Sequence, residues 1–370
     1  MQAVGLKRLF LVAGGTGGHI CPAVAFGRWL SETVEGLEIV HVAGNRPLER
    51  EIYGSAGLDA VFLPFEGSPV GARGMTAANR WLQVVKALGE MVRLFRNRPP
   101  SACVLFGGYV SFPALVAGKL FGTPLVVHEQ NAVAGRVTRM GVHLGAKLLT
   151  GWRICHPFGI SRYVEVGTPI RAMRRLPPRE AWNKLNLGDF PGGKNCLVIG
   201  GSLGSRSLVE RVKEISRLAD FGEWNFLVMG QEKGDNHLSE RVWGIPRRWD
   251  METLYSLADF AIVRGGASTL SELRAWAIPA LVVPWPESRD DHQSANARVF
   301  CENGHGLVWD EVLEGRTEFV SKLHQLGSMG SWGNESPPDP GVAAERINRS
   351  FLREILRTLE GRDGTWMDSN

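Results

Sequence analysis

Short, almost wholly apolar runs alternate along this chain with longer stretches in which apolar positions recur every three or four residues. Over the first 170 residues the runs fall at 9–13, 37–43, 103–106 and 125–128, and the stretches at 22–30, 48–56 and 112–120. The change of period predicts strand followed by helix, and its repetition predicts a parallel sheet with helices on both faces. A Pro- and Arg-rich connector at 176–179 breaks the pattern, which restarts with apolar runs at 196–199, 225–229, 260–263 and 280–283. At 370 residues the chain exceeds the size at which one core stops growing, so the restart predicts a second α/β domain. The expected division is 1–170, 171–345, and a terminal helix and tail at 346–370, with 347–359 helical. The stretch 327–341, rich in Gly, Ser and Pro, reads as a mobile loop.

Four glycine-rich turns follow apolar runs and precede helical stretches: Gly14-Gly15-Thr16-Gly17-Gly18-His19, Gly107-Gly108-Tyr109, Gly200-Gly201-Ser202-Leu203-Gly204 and Gly265-Gly266-Ala267-Ser268-Thr269. Glycine lets backbone approach a ligand closely, and a helix start offers unpaired N–H groups and partial positive charge, so each unit suits an anion. Two turns in each half predict two such domains facing one cleft. The first turn lacks the GxGxxG spacing and no Gly-Lys-Ser/Thr triplet occurs, which disfavours dinucleotide redox cofactors and P-loop nucleotides. A nucleoside diphosphate held without a P-loop remains.

Composition narrows the class. With 44% hydrophobic and 22% charged residues the chain reads as a soluble globular protein. Its five cysteines form no CxxC pair and are odd in number, which points to reduced thiols in a cytoplasmic setting, with no disulfide or zinc framework and no metal site. The first ten residues are too short an apolar segment for a signal peptide, and Gly, Pro and Lys119 break the run between 102 and 127 below the length of a membrane span.

The net charge of +4 is uneven: 17 Lys and Arg stand against 10 Asp and Glu up to Ile170, and 25 against 28 thereafter. Part of the basic excess lies at 73–98, where six basic residues surround an apolar series and Glu90 alone opposes them. Trp81, Val85, Leu88, Val92 and Phe95 recur there at helical spacing. Such an amphipathic basic helix either lies on an anionic lipid surface or packs its apolar face on its own domain. Nucleic-acid binding is disfavoured, because the basic residues are interleaved with apolar ones and no RNA or DNA motif occurs.

Seven segments, in order and spacing, resemble the MurG family of bacterial glycosyltransferases. They are Leu11-Val-Ala-Gly-Gly-Thr-Gly-Gly-His19, Gly107-Gly-Tyr-Val-Ser111, His128-Glu-Gln-Asn131, Val166-Gly-Thr-Pro-Ile-Arg171, Gly200-Gly-Ser-Leu-Gly204, Gly265-Gly-Ala-Ser-Thr-Leu-Ser-Glu272 and Asp291-His-Gln-Ser-Ala-Asn296. The resemblance covers about residues 8–308, and its specificity comes from the seven occurring together. It implies a GT-B fold of two Rossmann-like, doubly wound parallel-sheet domains facing a central cleft, with the donor mainly on the second and a lipid-linked acceptor on the first. The implied reaction is an inverting transfer of N-acetylglucosamine from UDP-GlcNAc to the 4-hydroxyl of the N-acetylmuramoyl sugar of lipid I, giving lipid II. The family needs no cofactor and generally no catalytic metal, since backbone N–H groups and a helix start can stabilise departing UDP.

The resemblance also distributes roles. His19 is the candidate general base, at a helix start whose partial positive charge favours a neutral, proton-accepting ring; it also reads as a histidine that merely closes the turn. Gly15, Thr16, Gly108 and Tyr109 are expected to cradle the acceptor's diphosphate. Thr16, Gly17, Gly18, Asn131, Arg171, Ser202, Ala267, Ser268, Glu272, His292 and Gln293 are expected around the donor. Of these, Arg171 supplies fixed positive charge, Asn131, His292 and Gln293 read the sugar, and Glu272 accepts from the ribose hydroxyls. Thr269-Leu-Ser-Glu272 equally has the spacing of a capping box, which would make Glu272 a helix cap. Glu129 and Asn296 are expected to support loops.

Leu203 stands where the family usually has glutamine, and Arg248 falls at an apolar uracil-contacting position. Because lipid I carries a prenyl chain, the resemblance favours the membrane reading of 73–98, and so a peripheral protein on the cytoplasmic face of the membrane. A UDP-GlcNAc 2-epimerase or a diacylglycerol glycosyltransferase would share the donor half, but the GGYVS and HEQN segments argue against both. A non-catalytic sugar-nucleotide binder would need no His19.

Overall fold

The computed structural model describes residues 5–67, 73–201, 205–231, 237–302, 304–328 and 339–363. The chain divides into two units, Met1–Arg171 with Glu345–Asn370, and Ala172–Ala344.

The first unit is built on a seven-stranded parallel sheet. Its strands are β1 (Arg8–Val12), β2 (Glu38–Gly44), β3 (Ala60–Leu63), β4 (Ala102–Leu105), β5 (Leu125–Glu129), β6 (Lys147–Thr150) and β7 (Val164–Glu165), in the order β3-β2-β1-β4-β5-β6-β7. β4 and β5 are buried along their whole length and β1 at all but its first residue, as strands covered on both faces must be. The chain winds outward from β1 to β3, then returns to β4 on the other side of β1, with Leu9 paired to Ala102 and Val12 to Leu105. Loops leaving β1 and β4 therefore run to opposite faces, which opens a crevice at the carboxyl ends of these two strands.

The second unit repeats this plan. β8 (Lys194–Ile199), β9 (Trp224–Gln231), β10 (Val242–Pro246), β11 (Phe260–Val263), β12 (Ala280–Val282) and β13 (Gly306–Val308) pair in parallel in the order β10-β9-β8-β11-β12-β13. Counted within the unit this is 3-2-1-4-5-6, the doubly wound order, and its switch point lies between β8 and β11. The four glycine turns thus follow the switch-point strands of the two sheets, the third described only at Gly200 and Gly201.

Aromatic side chains fill both cores. Phe10 meets Phe95 edge to face at 5.2 Å in the first, and Trp224 meets Phe260 at 4.7 Å in the second. Trp152, Trp182, Trp276 and Trp309 are among the largest fully buried side chains, and with Trp29, Trp224 and Trp243 they make seven buried tryptophans among the described residues, so most of the twelve are core material. The terminal helix, Pro340–Asp363, does not stand apart as 346–370 suggested. From Glu345 onward it belongs to the first unit, where Phe351 packs on Phe26 and His128 at 4.5 and 5.0 Å and Lys147 bridges to Glu354 at 2.6 Å.

The basic helix forms over Gly74–Asn97, but its apolar residues are shared between two faces. Val84, Ala87, Met91 and Phe95 are buried against the first unit. Phe95, expected to meet lipid, is 1% exposed and held by Phe10, so it belongs to the core. Leu88 and Val92 are half-buried. Of the expected stripe, Trp81 and Val85 remain outward, 54% and 65% exposed, and with Met75 and Leu82 they gather the exposed apolar surface into the helix's first half. A spacing of three and four cannot separate these faces, because Phe95 lies one helical turn from Met91 but four turns from Trp81, and a packed helix rotates its stripe to follow the sheet.

Candidate active site

In the first unit the turn after β1 runs straight into the helix Gly17–Thr33. Thr16 is its N-cap residue in extended conformation and His19 lies in its first turn, with the His19 amide donating to the Thr16 carbonyl at 3.1 Å. The helix begins five residues before the stretch at 22–30, and Pro22 lies inside it. The turn after β4 folds against the first one. Gly108 has φ 78° and lies so close to Gly14 that a Cβ would collide with the Gly14 carbonyl oxygen. Gly107, at φ 97°, faces the His19 ring, where a Cβ would stand 3.0 Å from Cε1 and Nδ1. Only glycine meets both demands, a left-handed backbone and no side chain.

Hydrogen bonds fix the His19 ring from the other side. Its Nδ1 lies 2.9 Å from Gln130 Oε1. Gln130 Nε2 donates to the His128 carbonyl at 3.2 Å and lies 3.0 Å from His128 Nδ1, and His128 Nε2 lies 3.0 Å from the Gly167 carbonyl. Gln130 and His128 are buried. Burial first, opposed by the Gly167 carbonyl and supported by the nearby His19 ring, drives the His128 pKa down to about 3, so this ring is neutral at physiological pH.

Glu49, in the helix Pro47–Ser55, supports the same turns from beneath. This fully buried carboxylate accepts from the Gly15 amide at 2.6 Å and from the Tyr109 hydroxyl at 2.8 Å through one oxygen, while the other lies against Gly44. Arg46 donates to the Gly15 carbonyl at 3.1 Å. Burial raises the Glu49 pKa; the Gly15 amide, Tyr109, Arg46 and Gly44 oppose that rise. Burial, and then the Glu49 charge, also push the Tyr109 hydroxyl upward, so it is a phenol that donates to Glu49.

The His128-Glu-Gln-Asn131 segment ends β5, and its glutamate orders the loop beyond. Glu129 Oε1 accepts from the Asn131 amide and side chain at 3.1 and 3.0 Å, and Oε2 from Gly135 N and Thr138 Oγ1 at 2.9 and 2.6 Å. Glu129 therefore supports a loop, as expected, and fixes Asn131 beside it.

In the second unit Gly265 and Gly266 lead from β11 into the helix Ala267–Trp276, so Ala267 and Ser268 occupy its first turn. That start excludes the capping-box reading of Glu272. Gly266 is the N-cap residue, Thr269 is already the third helical residue, and no side chain caps this end. Glu272 sits in the second turn, 5% exposed, and accepts from the Tyr255 hydroxyl at 2.7 Å. Asp290 and Asp291, both left-handed at φ 53° and 51°, bend the chain into the helix His292–Glu302, placing His292 and Gln293 at its start. Gln293 Oε1 accepts from the Gly265 and Trp285 amides at 3.1 and 2.9 Å, so its acceptor end is committed to holding the loops. Asn296 is buried and donates to the Gly265 carbonyl at 2.9 Å, the support expected of it. Arg171 is the half-buried last residue of the first unit's main segment. Arg248 pairs with Asp250 at 2.9 Å. Ser202 and Leu203 lie outside the described residues, as does most of the 327–341 stretch.

Sequence reading missed three side chains that hold these turns: Glu49, Gln130 and Arg264. Arg264, 4% exposed at the end of β11, donates to Ser205 and Ser207 at 2.9 and 3.0 Å, to the Val283 carbonyl at 3.2 Å and to Glu311 at 2.6 Å. Ser205 caps the helix Arg206–Ile215 that follows the β8 turn, so Arg264 ties the switch-point loops of the second unit together. An arginine directly between a four-residue apolar strand and a glycine pair is a visible signal, because only a well-paired charge is tolerated there.

Comparison with known proteins agrees with this geometry. Residues 9–149 match the glycosyltransferase family 28 N-terminal domain and residues 195–329 its C-terminal domain. The chain is 33% identical over 346 residues to a Halorhodospira halophila protein, covering 88% of this chain and 92% of that one. It is 35% identical over 316 residues to one from Alkalilimnicola ehrlichii, covering 81% and 84%. Both are named UDP-N-acetylglucosamine–N-acetylmuramyl-(pentapeptide) pyrophosphoryl-undecaprenol N-acetylglucosamine transferase. In fold the chain is similar to Acinetobacter baumannii MurG, with a TM-score of 0.63 at 23% identity over 93% of this chain and 99% of that one. It also resembles a Streptomyces sp. SF2575 glycosyltransferase complexed with thymidine diphosphate, with a TM-score of 0.62 at 14% identity over 95% and 99%. A doubly wound GT-B architecture, relatives above 30% identity along most of the chain, and a match to both domains lead to one assignment: the chain belongs to glycosyltransferase family 28, in its MurG branch.

Proposed function

We propose that this protein transfers N-acetylglucosamine from UDP-GlcNAc to the 4-hydroxyl of the N-acetylmuramoyl sugar of lipid I, with inversion at the anomeric carbon. The observation that carries the proposal is a likeness to transferases of that name over 88% of the chain, with both family 28 domains matched across 9–149 and 195–329, the segments that hold both pairs of glycine turns.

The acceptor hydroxyl oxygen forms the new bond to the anomeric carbon while the bond from that carbon to the UDP oxygen breaks, and UDP leaves with the electron pair. His19 Nε2 takes the hydroxyl proton as attack proceeds. Gly15, Thr16, Gly108 and Tyr109, on turns braced by Glu49, hold the acceptor's diphosphate near that ring. The amides of Ala267 and Ser268, at a helix start of the second unit, stabilise the negative charge that develops on the leaving diphosphate, with Ser202 beside them and Arg171, the last residue of the first unit's main segment, supplying fixed positive charge. Glu272 accepts from the ribose hydroxyls; Asn131, His292 and the Gln293 amide group read the sugar; and Thr16, Gly17 and Gly18 complete the donor contacts.

The acceptor is membrane-anchored, so the protein works as a peripheral protein on the cytoplasmic face of the membrane. Met75, Trp81, Leu82 and Val85 enter the interface while Arg73 and Lys86 meet anionic headgroups. Among the described residues no helix is long and apolar enough to cross a membrane.

Incubating the protein with radiolabelled UDP-GlcNAc and lipid I tests the reading. Label is expected in the lipid phase, dependent on both substrates; label released only as free sugar would overturn it.

A further inference from the structure

The hydrogen bonds around His19 have an order that follows from donors and acceptors alone. The Gly167 carbonyl can only accept, so the His128 nitrogen facing it, Nε2, carries the proton. His128 is neutral in its buried setting, which leaves its Nδ1 as an acceptor. Gln130 then faces two acceptors, His128 Nδ1 and the His128 carbonyl, at 3.0 and 3.2 Å, and must turn its amide NH2 toward them. The opposite amide orientation would set its oxygen against a carbonyl oxygen. With the NH2 so engaged, Gln130 Oε1 faces His19 Nδ1 at 2.9 Å and can only accept from it. The neutral His19 ring therefore carries its proton on Nδ1, and the lone pair is on Nε2.

We infer that Gln130 is a positioning residue whose amide, oriented by His128 and the Gly167 carbonyl, holds neutral His19 in the Nδ1-protonated tautomer and so keeps Nε2 as its proton-accepting atom. The inference deepens the reading of His19 as general base and rests on it. Two features make the relay hard to rearrange. Gln130 is 1% exposed and His128 is fully buried under Phe106 and Phe351, whose rings lie 5.6 and 5.0 Å away, so bulk water is kept from substituting for a lost bond. Gly107 closes the other side of the His19 ring. The proton on His128 Nε2 stays in place throughout; the chain orients the base and transfers nothing.

Nitrogen-15 NMR of the full-length protein labelled at histidine reads the tautomer directly, with His19→Ala supplying the assignment. The wild type at neutral pH is expected to show a protonated Nδ1 and an unprotonated Nε2 on His19. Finding the proton on Nε2 would overturn the inference without recourse to any variant. Gln130→Leu, close in volume and unable to hydrogen-bond, is expected to give a mixture of tautomers and to lower kcat at least about tenfold, with KM for UDP-GlcNAc within about twofold. An unchanged tautomer in folded Gln130→Leu would equally sink the role of Gln130. His19→Ala separates the two levels: if it keeps normal turnover, the base assignment fails, whereas the tautomer measurement still decides whether Gln130 orients the ring.

Discussion

Individual side chains divide into those that would touch substrate and those that hold the touching ones still, and the two kinds respond differently to substitution. Glu272 is no helix cap, and the amide oxygen of glutamine can still accept from the Tyr255 hydroxyl, so Glu272→Gln is predicted to leave the thermal midpoint nearly unchanged while weakening UDP about tenfold or more, the usual loss for a hydrogen bond to a charged acceptor. A lowered midpoint with unaltered UDP affinity would return it to a structural role; calorimetry measures both. The buried histidines give a second prediction. Burial holds His41 at about 4 and His128 at about 3, whereas the unfolded chain takes these protons near 6.5. Between those values the unfolded state binds more protons, so stability rises with pH from about 4 to about 6.5, by about 1.4 kcal/mol per unit for each histidine. His41→Asn should flatten the dependence by that amount over this window. The raised pKa of Glu49 acts in the opposite sense, but it is common to both proteins and drops out of the comparison. At this scale the sequence displayed His19, Glu272 and Asn131 through their motifs. It concealed Glu49, whose hydrogen-bond partners Gly15 and Tyr109 lie 34 and 60 residues away. Gln130 was in view inside a quoted motif, yet its task depends on contacts 111 and 2 residues away that have no local signature.

Among the elements, the helix Gly74–Asn97 shows most plainly what a hydrophobic period leaves open. Periodicity established that the helix exists; packing decided which of its apolar residues face the sheet. Phe95→Ala should therefore destabilise the protein by about 3–5 kcal/mol, as truncating a buried phenylalanine does. Trp81→Ala should change stability by no more than about 0.5 kcal/mol while reducing binding to vesicles rich in anionic lipid. Denaturant unfolding and vesicle sedimentation at two salt concentrations check both. Loss of vesicle binding in a folded Phe95 variant, with none in the Trp81 variant, would contradict the assignment of faces. Strand positions were more legible where β1, β4, β5, β8 and β11 each hold three or more consecutive apolar residues, followed within two residues by a glycine pair in all but β5. The outer strands β3, β6, β7, β10 and β13 escaped notice: two to five residues, some interrupted by Lys147, Gly244 or Pro246, carry too little pattern to stand out.

For the molecule as a whole, the recurrence of one strand order in two sheets explains why the glycine turns come in two pairs. Each pair marks a switch point, where loops diverge and an anion can reach helix N–H groups. The sequence announced this through the restart after the connector. It did not announce that the chain returns from Glu345 onward to complete the first unit, since nothing local in a helix names the surface it will cover. The account assigns the uridine nucleotide to the second unit, beside Ala267, Ser268 and Glu272, and the base to the first. Crystals of the protein soaked with UDP test that division most directly. The account predicts nucleotide density against the start of the helix Ala267–Trp276, with the ribose on Glu272. Density beside Thr16 and His19, with none near Glu272, would contradict it.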